Sequence, residues 1–274
     1  MRIAPLLAIA LGAAACAKEP APDVAAAPQE LVVTATDYAY ELPATPVVAG
    51  PTRITLVNKG QELHHITLMR LTEGKTMADL AGLDPEGPPP TWAIPAGGPN
   101  AAVPGGESTA TLLLEPGSYV ITCFIPSPDG VPHIAKGMSI GLEVQPATGP
   151  AGPMPTGDIT IGLTDYAFTM SAAPTAGTHS FVVTNQAQQP HEVVLVRMEP
   201  GTSMESWNAW LEAGMTGPPP GMPFAGLSAM APGMVQDFTA ELTPGTYGFI
   251  CFVPDAGDGK PHSMHGMVVS FDVS

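Results

Sequence analysis

The 274 residues suffice for about two domains, each burying its own core; with 33 Pro, 30 Gly, 6% aromatic and 12% charged residues, the composition is loop-rich and points to an all-β protein. Twenty-five acids against nine bases give a net charge of −16. That charge repels phosphates and excludes a nucleic-acid partner, while leaving a basic protein partner open.

Residues 1–15, MRIAPLLAIALGAAA, combine one basic residue, a short apolar core and a run of small residues, and read as a secretory signal. The stretch is too short for a retained membrane span. Ala13 to Cys16 is similar to the lipobox of bacterial lipoproteins, in which the cysteine is lipidated, although Ala13 stands where leucine is usual. Ordinary cleavage after Ala15 or Ala17 is the alternative. Both readings place the chain outside the cytoplasm, periplasmic or membrane-anchored through lipid on Cys16. Residues 16–30, rich in Pro and Ala, read as a tether.

From there the chain is one unit written twice. Asp37-Tyr38-Ala39 returns as Asp165-Tyr166-Ala167, and His64, Cys123, His133 and Met138 return as His191, Cys251, His262 and Met267, at offsets of 127 to 129. The expected division is a first domain at 31–144, a Pro/Gly linker at 145–157 and a second domain at 158–274. Short β-rich runs at 31–36, 52–58, 66–71, 108–114, 119–124 and 138–144 have counterparts at 159–164, 179–185, 192–198, 235–242, 247–252 and 267–273. Many short strands between Gly/Pro turns imply a β-sandwich in each half. One short helix is expected in each connection after the His-bearing strand. It lies at 76–82 in the first half; in the second, Thr202 and Glu205 form a capping-box pattern and Gly214 stands at the C-cap. Trp207 and Trp210 read as packing residues.

The chemistry gathers on residues 122–138, where Cys123, His133 and Met138 supply a thiolate, an imidazole and a thioether, the soft and borderline donors that copper prefers. A mononuclear type 1 copper site needs a second imidazole from a neighbouring strand. Counting back six from Arg70 and Arg197 selects His64 and His191. Strand alternation then sends His65 to the opposite face, an outward place held by Glu192 in the second half.

In both halves the chain resembles the cupredoxin (type 1 blue copper) family, through Asn-Lys-Gly-Gln-Glu-Leu-His64 and the later Cys, His, Gly, Met string. The resemblance implies two tandem Greek-key β-sandwiches. It also implies two copper sites, His64, Cys123, His133 and Met138 in one and His191, Cys251, His262 and Met267 in the other. The expected role is single-electron transfer by Cu(I)/Cu(II) to a redox partner, with docking near Pro132, His133 and Ile134 and near Pro261 and His262. The first copy carries −6 (eleven acids, five bases) and the second −9 (eleven acids, two bases), so a basic partner is expected to prefer the second half.

Two departures stand out: the Cys-to-His loops of nine and ten residues are longer than those of small electron carriers, and the Asn usual after the first histidine is absent. The long loops look closer to the type 1 loops of copper nitrite reductases and multicopper oxidases. Those enzymes need further histidines flanking the cysteine; here Thr122, Phe124, Ile250 and Phe252 stand there, so the chain is expected not to be an enzyme. His65 and His179 are read as non-ligands, and His265 as an alternate ligand or a surface group. Met215, Met222, Met230 and Met234 are read as apolar packing or as a Cu(I)-loading surface. The rival functions are therefore a periplasmic copper carrier or reservoir and a metal-free interaction module, and a disulfide is the alternative use of Cys123 and Cys251.

Overall fold

The structure is a computed structural model that describes residues 27–72, 74–80, 90–149, 152–154, 156–214 and 216–274. Cys16, the signal reading and most of the tether lie outside the described residues. Period-two burial sets the strands. In β1 (Gln29–Thr36), Leu31, Val33 and Ala35 face the core while Glu30, Val32 and Thr36 face water. The first half continues through β2 (Ala39–Glu41), β3 (Val47–Val48), β4 (Gly50–Asn58), β5 (Thr67–Leu71), the helical turn α1 (Met77–Leu80), β6 (Ala93–Gly97), β7 (Glu107–Leu114), β8 (Gly117–Thr122) and β9 (Ser139–Gln145). The second half repeats the plan with β10 (Ile159–Thr164), β11 (Ala167–Met170), β12 (Gly177–Asn185), β13 (His191–Met198), α2 (Met204–Glu212), β14 (Gly221–Met230), β15 (Val235–Leu242), β16 (Gly245–Ile250) and β17 (Val268–Val273).

The fold is all-β, and the two halves share their sheets. One sheet runs β11-β10-β12-β15-β7-β4-β1-β2 and the other β17-β16-β13-β14-β6-β5-β8-β9-β3. Within the first half β4 and β7 lie in the first sheet and β5, β6, β8 and β9 in the second. The chain thus crosses between layers as a sandwich requires. The halves join where β15 meets β7 at Phe238↔Ala110 and where β14 meets β6 at Met230↔Ala96. Backbone bonds from Ser228 N to Gly98 O (2.9 Å), Asn100 N to Gly226 O (3.1 Å) and Ala231 N to Pro95 O (3.0 Å) extend that seam. A single apolar cluster, from Leu31 to Val273, fills the space between the sheets in both halves.

One local device recurs in both halves. The Tyr119 hydroxyl accepts from Glu115 N and donates to Glu115 O, both at 3.1 Å, and Tyr247 does the same with Thr243 at 3.1 and 2.9 Å. Each pins the turn that leads into the cysteine strand. In β13, Val193 and Leu195 enter the shared core while Val194, Val196 and Met198 pack under Met204 and Trp207 of α2. The helix therefore covers the outer face of the sheet. Its cap also differs from the expected pair: Ser203 is the N-cap and Ser206 Oγ accepts from Ser203 N at 3.1 Å. Thr202 instead donates its hydroxyl to carbonyls of Glu199 and Pro220, both at 2.7 Å. In the first half the described helix is the single turn of α1, and 81–89 lie outside the described residues.

Gln236 ties the seam with its side chain, donating to Ala96 O at 2.8 Å and accepting from Gly98 N at 3.3 Å. A Cβ on Gly97 would clash with its amide, and the φ of 82° there favours glycine as well. Replacing Gln236 with Leu strands two buried backbone groups, at about 1–3 kcal/mol. With sheets and core shared, we expect one cooperative urea transition for both halves, shifted as a whole by Gln236→Leu. Two transitions, with only one moved, would contradict the shared core.

Candidate metal centres

The loop after β8 closes on itself through its backbone. Ile134 N donates to Cys123 O (2.8 Å), His133 N to Ile125 O (2.9 Å), Met138 N to His133 O (3.0 Å) and Cys123 N to Met138 O (3.3 Å). A 3-10 turn at His133–Lys136 carries the chain to Gly137, whose φ of 100° reverses it toward Met138. The second loop repeats these bonds at Ser263, His262, Met267 and Cys251, with Gly266 at φ 99°. The histidine-to-methionine spacing is thus the length of one closed turn, and both thioethers are fully buried on it.

The first histidine is placed by a buried asparagine. Asn58 donates its amide to Glu62 O and Ala102 O, both at 2.8 Å, and accepts from Gly60 N, fixing the turn before His64. Asn185 does the same through Gln189 O, Met230 O and Ala187 N before His191.

These supports bring His64, Cys123 and His133 together, and separately His191, Cys251 and His262. In each set, one ligand atom per residue lies within 4.8 Å of the others. His64 Nδ1 stands 3.1 Å from His133 Nδ1, and Cys123 Sγ 3.4 Å from His133 Nδ1. In the second half Cys251 Sγ is 3.7 Å from His191 Nδ1 and 3.4 Å from His262 Nδ1. All six side chains are fully buried, and both cysteines are free, which removes the disulfide alternative.

The outer nitrogens fix the tautomers. His64 Nε2 meets Asp37 Oδ1 at 3.2 Å, His133 Nε2 meets Glu62 Oε2 at 2.8 Å, and His191 Nε2 meets Asp165 Oδ1 at 2.6 Å. A carboxylate only accepts, so each Nε2 carries the proton and turns Nδ1, with its lone pair, inward. Burial holds His64 and His191 below the ordinary imidazole range and His262 down to about 4. Burial also pushes the Cys123 thiol up to about 11 and raises Cys251 still further. The groups converge without the positive charge that would let the thiols ionise.

His65 and Glu192 are not outward. The first sheet strand to carry this segment starts only at Thr67, and His64 pairs with Ala102 in an isolated bridge, so alternation does not govern 64–66. Both residues are buried. His65 Nε2 accepts Phe124 N–H at 2.9 Å and Glu192 Oε1 accepts Phe252 N–H at 2.8 Å. They hold the residue after each cysteine, the link the missing Asn left open. Asn100 Nδ2 donates a hydrogen bond to Glu192 Oε2 at 3.2 Å. Burial drops the His65 pKa to about 3 and lifts that of Glu192 to about 7.

The sequence reading also missed the aromatic cover. Tyr38 lies edge-on to His133 at 5.3 Å and Tyr166 tilts over His262 at 5.2 Å. The repeated Asp-Tyr-Ala was the signal for both the carboxylate and this lid. The imidazole edges expected to meet a partner are thus fully buried. His265 lies outside the Cys251 group. It bonds Asp258 at 3.1 Å and stacks on Tyr166 at 4.9 Å. With Asp255 it completes a third cluster. The carboxylate oxygens of Asp255 in that cluster are already occupied by Tyr166, Gln189, Gly257 N and Asp258 N. His179 pairs with Asp158, remote from either set. Of the methionines in the 215–234 segment, Met230 is buried within β14 and Met222 is exposed, while Met215 lies outside the described residues.

No protein-family model and no curated protein matches the chain. Solved structures do. Reduced auracyanin from Roseiflexus castenholzii is 25% identical over 44% of this chain and 100% of its own, with a TM-score of 0.31. A blue copper oxidase from Nitrosomonas europaea is 13% identical over 90% of this chain and 86% of its own, TM-score 0.27. A copper-containing nitrite reductase from Thermus scotoductus is 11% identical over 89% and 61%, TM-score 0.24. TM-scores this low leave the fold to be read from the chain's own strands. The presence of two enzymes among these matches nonetheless corrects the expectation that the chain is not an enzyme, and that exclusion is withdrawn.

A metal must displace the Cys123 proton. In a Cys251→Ser protein, we expect Cu(I) affinity, measured against a chelating competitor, to rise at least about tenfold per pH unit from pH 7 to about 10. A flat profile would mean that the thiol is already ionised.

Proposed function

We propose that the chain binds one mononuclear copper ion in each half, through His64, Cys123 and His133 with Met138, and through His191, Cys251 and His262 with Met267, and passes single electrons. The observation that carries this reading is the convergence of two imidazole Nδ1 atoms on a buried thiol in each half, with the lone pairs of His64, His133 and His191 turned inward. With both Nε2 protons given to carboxylates, the two Nδ1 lone pairs 3.1 Å apart in the first half suit a shared cation, and in the second half Cys251 Sγ lies 3.7 and 3.4 Å from the two Nδ1 atoms. Two imidazoles, one thiolate and a weak thioether form the donor set that suits both copper oxidation states. When bound, copper would supply a one-electron couple. The protein's own part is to hold three ligands on hydrogen-bonded backbone, to exclude water and to fix the tautomers through Asp37, Glu62 and Asp165.

The carrier reading draws less support, since its proposed loading segment is largely strand β14 with Met230 in the core. An extracytoplasmic setting, a basic redox partner and anchorage through Cys16 belong to the same proposal. With the imidazole edges covered, electrons would enter past Tyr38 and Tyr166.

Adding Cu(II) to the purified protein tests the reading. We expect two equivalents of tightly held copper and an intense visible absorption, with Cys123→Ser and Cys251→Ser each removing about half of both. Copper unchanged in the double variant would overturn ligation by the cysteines, and no tightly held copper in the unsubstituted protein would support the metal-free module instead.

A further inference from the structure

Each site sets two carboxylates around its histidines but places one of them differently. Asp37 and Asp165, and Tyr38 and Tyr166, correspond directly. The second carboxylate has changed address. In the first half it is Glu62, two residues before His64. Its Oε2 accepts from His133 Nε2 and its Oε1 from the Tyr38 hydroxyl, both at 2.8 Å. In the second half that position is Gln189, and the carboxylate sits on the metal loop as Asp255, where the first half has Ser127. Asp255 Oδ2 is taken by the Tyr166 hydroxyl at 2.5 Å and by Gln189 Nε2 at 2.9 Å. It lies 3.8 Å from His262 Nε2, and that buried nitrogen has no hydrogen-bond partner.

An imidazole that gives its outer N–H to a carboxylate is a stronger electron donor through its inner nitrogen, and stronger donation favours the more highly charged ion. His133 has that support and His262 lacks it. We propose that Glu62 is a positioning and tuning residue for the first centre, lowering its Cu(II)/Cu(I) potential, and that the Glu62/Ser127 to Gln189/Asp255 exchange gives the two halves different redox settings. The inference rests on the copper reading above. The couple is a single electron taken from an electrode mediator, with no ligand lost. Glu192 beside Cys251 adds its own field to the second half, so the decisive comparison is made within each half.

The experiment uses the full chain in two single-site forms, Cys251→Ser to keep the first centre and Cys123→Ser to keep the second, with copper content measured before the midpoint potential. In the first form, Glu62→Gln with Ser127→Asp imposes the second half's arrangement and is expected to raise the potential. In the second form, Gln189→Glu with Asp255→Ser imposes the first half's arrangement and is expected to lower it. Opposite shifts support the proposal. No shift, or shifts in one direction, with one copper bound per chain, overturns it. If one double variant fails to fold, the sign of the other decides. Failure of the unswapped single-site forms to bind copper would instead remove the reading on which the inference stands.

Discussion

Unprotonated imidazole nitrogens do not rest against one another and a buried thiol in a dry interior without a positive charge to share. That constraint organises the ends of both halves. Asp37, Glu62 and Asp165 hold protons on the outer nitrogens, so the inner ones face the cysteine as acceptors. The closed loops from cysteine to methionine prevent the side chains from drifting apart, because each ligand's own backbone is bonded to another's. The site is held by main-chain geometry first and by side-chain contacts second, which is how a metal centre is kept from rearranging.

The same logic reaches the body of the fold. β5 and β8 carry the first half's ligands into the second sheet, β13 and β16 carry the second half's, and β6 and β14 zip the halves between them. His65 and Glu192, each holding the residue after a cysteine, are buried beneath the loops, with Asn100 of the first half bonded to Glu192 of the second. Each centre therefore leans on a segment that also belongs to the seam.

Much of this was legible in the sequence because the ligands and the strands bearing them were written twice, and the repeated offset separated His64 from His65 and His262 from His265. What was not legible followed from tertiary context. β6 (AIPAG) and β14 (GMPFAGLSAM) fall between the expected β-rich runs, yet they are strands whose glycines make room for close neighbours, the Gln236 side chain at Gly97 and Val193 O of β13 at Gly226. The burial of His65 depended on an irregular approach to β5, and that of Glu192, on the outer face of β13, on its bonds with Asn100 and Phe252 N. Alternation could report neither. The burial of His133 and His262 depends on Tyr38 and Tyr166, which the repeat marks without showing that they lie against the imidazoles.

The most direct test of the central claim is X-ray absorption at the copper edge on the fully loaded protein. One sulfur and two imidazole nitrogens close to each copper would be the result expected from the convergence of Cys123 with His64 and His133, and of Cys251 with His191 and His262. A shell of oxygen and nitrogen alone, without sulfur, would contradict it.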